Sequence, residues 1–288
     1  MLRQLPRIRP LAFCLNANTS IVYVWSHSCN SASAEQAERG EVAHNAQLHK
    51  GAFANPIGRT STKPSRTLRD RGRPGSLYEH VNRRKDITMD IGIIGAGSVA
   101  QAFARHALQV GHTIKISNSR GPSTLRETVQ TLGSGVTAVT TAEAAASELV
   151  VLAVPWDDVV GVLTHLPPWQ QQILIDTTNP FHGRAGTFTL AEVHGLSTSQ
   201  FVAQLAPGAK VVKAINPMLV ANFEAGGDVN GAKRVAFVSA DDADAKTTVG
   251  ALLRTFGFAV IDLGNLRDGG LIQQAGGPQA GLDILQRL

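Results

Sequence analysis

The sequence predicts an α/β chain built on a doubly wound, mostly parallel sheet. Two observations predict it. Short runs rich in Ile, Val and Leu recur along residues 89–262 without alternation, as strands covered on both faces do. Segments with helical apolar spacing separate these runs, and strands alternating with helices form parallel crossover units. The first run, Ile91-Gly92-Ile93-Ile94, leads into Gly95-Ala96-Gly97-Ser98-Val99-Ala100. In that pattern Gly95 permits a tight turn, Gly97 lets backbone approach a pyrophosphate, and Ala100 takes the third small position, where helix and strand pack closely. The helix N-terminus behind it offers free N–H groups to phosphate. This is the cradle of a dinucleotide-binding Rossmann fold.

The elements follow in order. A helix is expected from about Ser98 to Val110, with Val99, Phe103, Ala107 and Val110 on one face and Gly111 as its stop. The second strand is Thr113–Ser117. At its end such folds usually carry an acid for the adenosine ribose, or an Arg for a 2′-phosphate. Here the chain reads Ser117-Asn118-Ser119-Arg120-Gly121-Pro122, with no acid before Glu127. Asn118, Ser119 and Arg120 supply donors and a positive charge, which predicts NADP rather than NAD. A helix over Ser123–Leu132, a strand over Val136–Val139 and a short helix capped by Thr141 come next. The fully apolar Leu149–Val154 is a central strand ending at Pro155-Trp156. Trp156 either borders the nicotinamide or covers the following helix, Asp157–Leu166. Ile173–Asp176 is the fifth strand. The polar groups after it, including Asn179, face the ligand crevice. Val211–Pro217 reads as a sixth strand, with Lys213 inside it paired to an acid such as Asp176 or Asp262. Arg234–Ser239 and Phe258–Asp262 are further strands, separated by a helix with Val249, Leu252, Leu253 and Phe256 on one face. The tail after Leu263 is glycine-rich, then short and helical.

Composition excludes several function classes. The net charge of +5 is uneven: residues 1–88 carry 14 Lys+Arg against 6 Asp+Glu, and residues 89–288 carry 13 against 16. The basic character belongs to the first segment, so nothing marks the folded part as a nucleic-acid binder. Both cysteines, Cys14 and Cys29, also lie there, which removes disulfides and thiolate chemistry from residues 89–288. No run is long and apolar enough to span a bilayer, and the scattered histidines show no metal-ligand spacing. Residues 1–88 lack any sustained period and read as a disordered extension. They are a targeting presequence, a basic tail, or no part of the mature protein. With Met89 as the true start the expected place is the cytoplasm; with a presequence it is an organelle. The expected organisation is an extension over 1–88, a cofactor-binding domain over 89–215, and a C-terminal part over 216–288 that completes the sheet and the substrate pocket.

The chain resembles the NADP oxidoreductases that act with the deazaflavin coenzyme F-420, whose nucleotide-binding domain type is shared with pyrroline-5-carboxylate reductase. The resemblance rests on Ile91–Gly97, Ser117-Asn118-Ser119-Arg120-Gly121, Val151–Pro155, Asp176-Thr177-Thr178-Asn179-Pro180 and Lys213-Ala214-Ile215-Asn216. It implies that Ser98 and Val99 cover the pyrophosphate, and that Ser119 and Arg120 hold the 2′-phosphate. Ala153, Val154 and Pro155 then lie by the nicotinamide, and Asn216 and Pro217 shape the pocket of the second substrate. The implied activity is hydride transfer between NADP(H) and a deazaflavin, flavin or other small acceptor. A homodimer is implied by the resemblance alone.

A flavin-like acceptor delocalises the charge it receives and needs no dedicated protein acid. A carbonyl or imine acceptor needs a proton donor within hydrogen-bond reach, and His182 is the one candidate. A capped loop residue is the other reading of His182, and His106 and His112 are read as structural. The alternative to an enzyme is an NADP(H)-binding sensor or interaction protein without turnover.

Overall fold

In the computed structural model the described residues are 22–25, 88–183, 188–193 and 195–287; they lie in one contact unit. The reading of residues 1–88 as a disordered extension falls almost entirely outside them. Within that segment the structure describes strand β1, Val22–Trp25, paired antiparallel with the last strand of the chain.

The strands that carry the site are β2 (Asp90–Ile94), β3 (Thr113–Ser117), β4 (Val136–Ala138), β5 (Leu149–Leu152) and β6 (Ile173–Asp176). A two-residue hairpin, β7 (Phe181–His182) with β8 (Thr189–Leu190), stands apart from the sheet. Then come β9 (Lys210–Ala214), β10 (Asp228–Val229), β11 (Ala232–Ala240), β12 (Ala259–Asp262) and β13 (Asp283–Arg287). The helices are α1 (Ser98–Gln109), α2 (Arg126–Leu132, after a 3-10 turn at Pro122–Leu125), α3 (Thr141–Ala145), α4 (Trp156–Thr164), α5 (Thr198–Leu205), α6 (Val220–Ala225), α7 (Ala243–Thr255) and α8 (Asp268–Gln273).

The sheet runs β4-β3-β2-β5-β6-β9, all parallel, and then β11, which is antiparallel to β9 and parallel to β12. Strand order reverses between β2 and β5, so a crevice opens beyond the carboxyl ends of these strands. Side chains within each strand divide between two cores. Ile91 and Ile93 of β2 and Val151 of β5 pack on one face with Phe103 of α1 and Val249 and Leu253 of α7. Ile94, Val150 and Leu152 pack on the other with Val159 and Val202. That division is why these runs do not alternate with polar residues: both faces are covered. Each such side chain contributes about 1.5–3 kcal/mol relative to exposure.

The structure departs from the sequence reading in four places. The N-cap of α3 is Thr140, not Thr141. Its hydroxyl accepts from Glu143 N at 3.3 Å, and Glu143 takes the Thr140 N–H at 2.8 Å. The expected helix over Ser123–Leu132 is split into a 3-10 turn and α2. Strand β9 stops at Ala214, because Ile215 adopts φ +71°. The C-terminal tail is not helical to its end: after α8 the chain returns as β13, antiparallel to β11. There Ile284 joins Val235, Phe237 and Ala259 in a small third core. Arg234 grips Asp283 through Nε at 2.7 Å and Nη2 at 3.1 Å, fixing the strand's start. No described helix is long and apolar enough to cross a membrane.

Candidate active site

Gly95 has φ +116°, and a Cβ there would run into the carbonyl oxygen of Ala153 at the end of β5. Glycine is therefore required both for the backbone angle and for close approach of the two strand ends. Gly95 N donates to Ser117 O at 3.0 Å, and Ala153 N to Ile94 O at 2.8 Å. These bonds bring the ends of β2, β3 and β5 together. Gly97 is different. It is the N-cap of α1 with φ −76°, and a Cβ there would meet no protein atom within 4 Å among the described residues. α1 receives no side-chain cap. The same holds for α2, α4, α6 and α8, whereas α3 and α5 carry capping boxes and α7 is capped by Asp242. The first turn of α1 thus presents backbone donors beneath an opening, with Ser98 exposed beside them and Ala100 buried behind. These residues fit a pyrophosphate.

Because β2 and β3 are in register from Asp90/Thr113 to Ile94/Ser117, the turn after β3 lies beside this opening. Asn118 Oδ1 accepts from Arg120 N at 3.0 Å, and Asn118 Nδ2 donates to Thr124 Oγ1 at 2.9 Å. The carboxamide thereby holds the turn, and Ser119 and Arg120 are exposed. A turn with an exposed guanidinium and hydroxyl, and no acid in the chain between Ser117 and Glu127, fits a 2′-phosphate.

Under the ends of β6 and β9 lies a buried polar network. Asp176 and Lys213 are fully buried, and Lys213 Nζ donates to Asp176 Oδ2 at 3.2 Å. The register of β6 and β9 sets these two residues opposite each other; Asp262 pairs instead with Lys246. Asp176 also accepts from Thr178 N at 2.9 Å, Thr178 Oγ1 at 2.7 Å and the Ser199 hydroxyl. Burial pushes the Lys213 ammonium below the ordinary lysine range, and the Asp176 carboxylate pulls it back up. Lys213 Nζ further donates to Thr178 O at 3.1 Å. The same carbonyl accepts from Asn216 Nδ2 at 2.5 Å, which also donates to Asn179 Oδ1 at 2.8 Å.

Val99, Asn179 and Asn216 line one pocket, together with Thr177, Ile215, Met218, Val220 and Phe223. Ala153, Val154 and Pro155 follow β5, the first two half-buried and Pro155 exposed. Pro217 is buried, is not among the pocket residues, and its carbonyl anchors the tail through Gly281 N at 2.9 Å. Trp156 is buried against Phe201 of α5, so it covers the helices. His182 lies on the β7–β8 hairpin, half-exposed, with Nδ1 2.5 Å from Asp157 Oδ1. That hydrogen bond, and one from Gly183 N, hold the Asp157 carboxyl below its ordinary range. His106 is buried and bonded to Phe223 O at 2.7 Å; His112 accepts from Met89 N at 3.2 Å, and burial lowers its pKa. Both are structural. The apolar wall of Met218, Val220 and Phe223 was missed by sequence reasoning, because three apolar residues around a six-residue helix carry no functional signal.

The family model described as NADP oxidoreductase, coenzyme F420-dependent, matches residues 90–180, the span that holds the cradle, the Asn118–Arg120 turn and the strand ends. The solved structure of the hypothetical protein SMa0349 of Sinorhizobium meliloti is 35% identical with a TM-score of 0.63, over 73% of this chain and 98% of that one. A structure from Arthrobacter sp. FB24, described as an F420-dependent NADP reductase, is 29% identical with a TM-score of 0.50, over 62% and 86% of the two chains. The metalloreductase STEAP3 of Rattus norvegicus is 28% identical over 178 residues, 61% of this chain and 34% of that protein. The chain thus spans about a third of that curated relative. With a solved relative matched over nearly its whole length, and the family's model lying on the residues that form the cradle, the chain belongs to the coenzyme F420-dependent NADP oxidoreductase family.

Proposed function

We propose that this protein binds NADP(H) and transfers hydride between it and a flat, flavin-like acceptor such as a deazaflavin. One juxtaposition carries the reading: the uncapped first turn of α1 and the exposed Ser119–Arg120 turn stand side by side at the carboxyl edge of β2 and β3. The first turn of α1 receives the pyrophosphate, with Ser98 and Val99 over it. Asn118 fixes the backbone of its turn, so that Ser119 and Arg120 meet the 2′-phosphate at a smaller ordering cost. Ala153, Val154, Pro155 and Asn179 flank the cofactor's nicotinamide end, and Asn216 borders the place of the second substrate. Residues 89–215 then act as the cofactor-binding part, and residues 216–288 supply the far wall of the pocket.

When bound, NADPH supplies a hydride from C4 of the nicotinamide and leaves as NADP⁺, while the acceptor takes that hydride and one proton from water. The chain's contribution is to orient the two rings and to exclude bulk water from between them. The apolar wall of Ile215, Met218, Val220 and Phe223 suits that task. His182 stands on the exposed hairpin, outside the pocket-lining residues, which favours an acceptor that needs no protein acid.

The test is titration of the full chain with NADPH and NADH, alongside Arg120→Ala. NADPH is expected to bind more tightly. Loss of a charge-assisted contact worth about 1.5–3 kcal/mol should weaken NADPH about tenfold to a hundredfold in the variant and leave NADH unchanged. Equal affinity for the two nucleotides in the unmodified protein would remove the 2′-phosphate role. Tight NADPH binding without oxidation by flavin or deazaflavin would leave a sensor rather than an enzyme.

A further inference from the structure

We infer that the carbonyl oxygen of Asn216 is a preset acceptor for an N–H group on the edge of a flat heterocycle: the carboxamide of the nicotinamide, or the imide of a flavin-like acceptor. This inference rests on the hydride-transfer reading above.

Asn216 is 8% exposed and lines the pocket between β6, β9 and α6. Its amide nitrogen is committed, donating to Thr178 O and Asn179 Oδ1. The Thr178 carbonyl can only accept, so the orientation of the carboxamide is set by it: nitrogen toward the end of β6, oxygen away from it. That oxygen has no hydrogen-bond partner among the described residues. A buried acceptor left without a donor is unusual and costly in a folded protein.

Two further features show that the arrangement is held in place. Ile215, immediately before Asn216, takes φ +71°, a conformation that a β-branched residue rarely adopts. Such strain persists where surrounding structure enforces it, and it collects at functional sites. The enforcing structure is the buried network: Lys213 pins the Thr178 carbonyl to which Asn216 is tied, and Asp176 pins Lys213. Asn216 shares its pocket with the apolar Ile215, Met218, Val220 and Phe223 on one side and with Thr177 and Asn179 beside it. A flat ring bearing one N–H at its edge matches both the apolar wall and the single acceptor. Half-buried Met218, unbranched and adaptable, is the side chain that yields to admit it.

The experiment changes the ligand as well as the protein. In the first arm the full chain is titrated with NADPH and with its 3-acetylpyridine analogue, in which a methyl group replaces the amide NH₂. In the second arm kcat/KM is measured with lumiflavin and with 3-methyllumiflavin, which lacks the imide N–H. The expected result is a loss of about 5- to 100-fold on removing the N–H in one of the two pairs. That ratio should collapse toward one in Asn216→Ala. Asn216→Ser, which keeps a small polar side chain but removes the carboxamide oxygen, is the second variant and should collapse it equally. Ratios near one for both pairs in the unmodified protein, or a ratio that survives both substitutions, would overturn the inference while NADPH binding itself still stands. Failure to bind NADPH at all would overturn both readings.

Discussion

Removing the Asp176 carboxylate should be among the most damaging single changes in this fold, and the reason is what it leaves behind. Asp176 and Lys213 are both fully buried. In Asp176→Ala the Lys213 ammonium keeps only the Thr178 carbonyl as an acceptor. Breaking a buried pair from one side costs about 3–5 kcal/mol, a large part of the ~5–15 kcal/mol that holds a domain folded. For a folded part of this size that is a fall in Tm of about 6–20 °C. Lys213→Met should cost less, about 1–3 kcal/mol, because Asp176 retains Thr178 N, Thr178 Oγ1 and the Ser199 hydroxyl as donors. pH separates the two further. The folded pKa of Lys213 is lowered from that of an unfolded lysine, first by burial and against the pull of Asp176. Over the window between the two values the unfolded chain holds more protons, so stability rises with pH. Without Asp176 that window extends downward, toward neutral pH. Urea unfolding at pH 7 and pH 9.5 should therefore show the deficit of Asp176→Ala shrinking as pH rises. A deficit below about 1 kcal/mol at pH 7, equal losses in the two variants, or a deficit that grows with pH would refute the reasoning.

Three other predictions address the cradle and the acceptor. Gly95→Ala should destabilise by about 2–5 kcal/mol in thermal or urea unfolding, since it combines φ +116° with a collision against Ala153 O. Gly97→Ala should unfold within about 1 kcal/mol of the unmodified protein yet bind NADPH at least tenfold more weakly, because its Cβ enters the opening over α1; normal binding by this variant would move the pyrophosphate elsewhere. His182→Ala should leave flavin reduction within about threefold across pH 6–8, whereas a role as general acid predicts a loss of about 10²–10⁴-fold.

Much of this fold was legible because it is dictated locally. Isoleucine and valine runs at Ile91–Ile94 and Leu149–Leu152 are buried on both faces, so composition alone marks them as central strands. Gly95 was legible because no other residue tolerates its angle and its neighbour together. The capping box at Thr140-x-x-Glu143 was present in the sequence, and only the one-residue offset to Thr141 was misread. β13 was not legible. Residues 283–287 have no strand signature of their own, and their state is decided by the edge of β11 and by Arg234, 49 residues upstream of Asp283.

The limit is sharpest at Lys213 and Asn216. Three residues apart on a regular strand, they should point to opposite faces of the sheet, and spacing alone gives no reason to join them. The left-handed Ile215 breaks the period between them, and both side chains then converge on one carbonyl, Thr178 O. A buried lysine that only closed an ion pair would be a costly way to stabilise a core, since apolar replacements often do as well or better. Its second bond gives it a different consequence here. By fixing Thr178 it fixes the amide side of Asn216, and so leaves its oxygen buried without a partner among the described residues. On this account Asp176 and Lys213 are positioning residues. Variants that keep the fold but loosen the pair should raise KM, or lower discrimination between ligands with and without the N–H, before they change the pH profile of kcat. The reverse order would make Lys213 a proton donor and not a support.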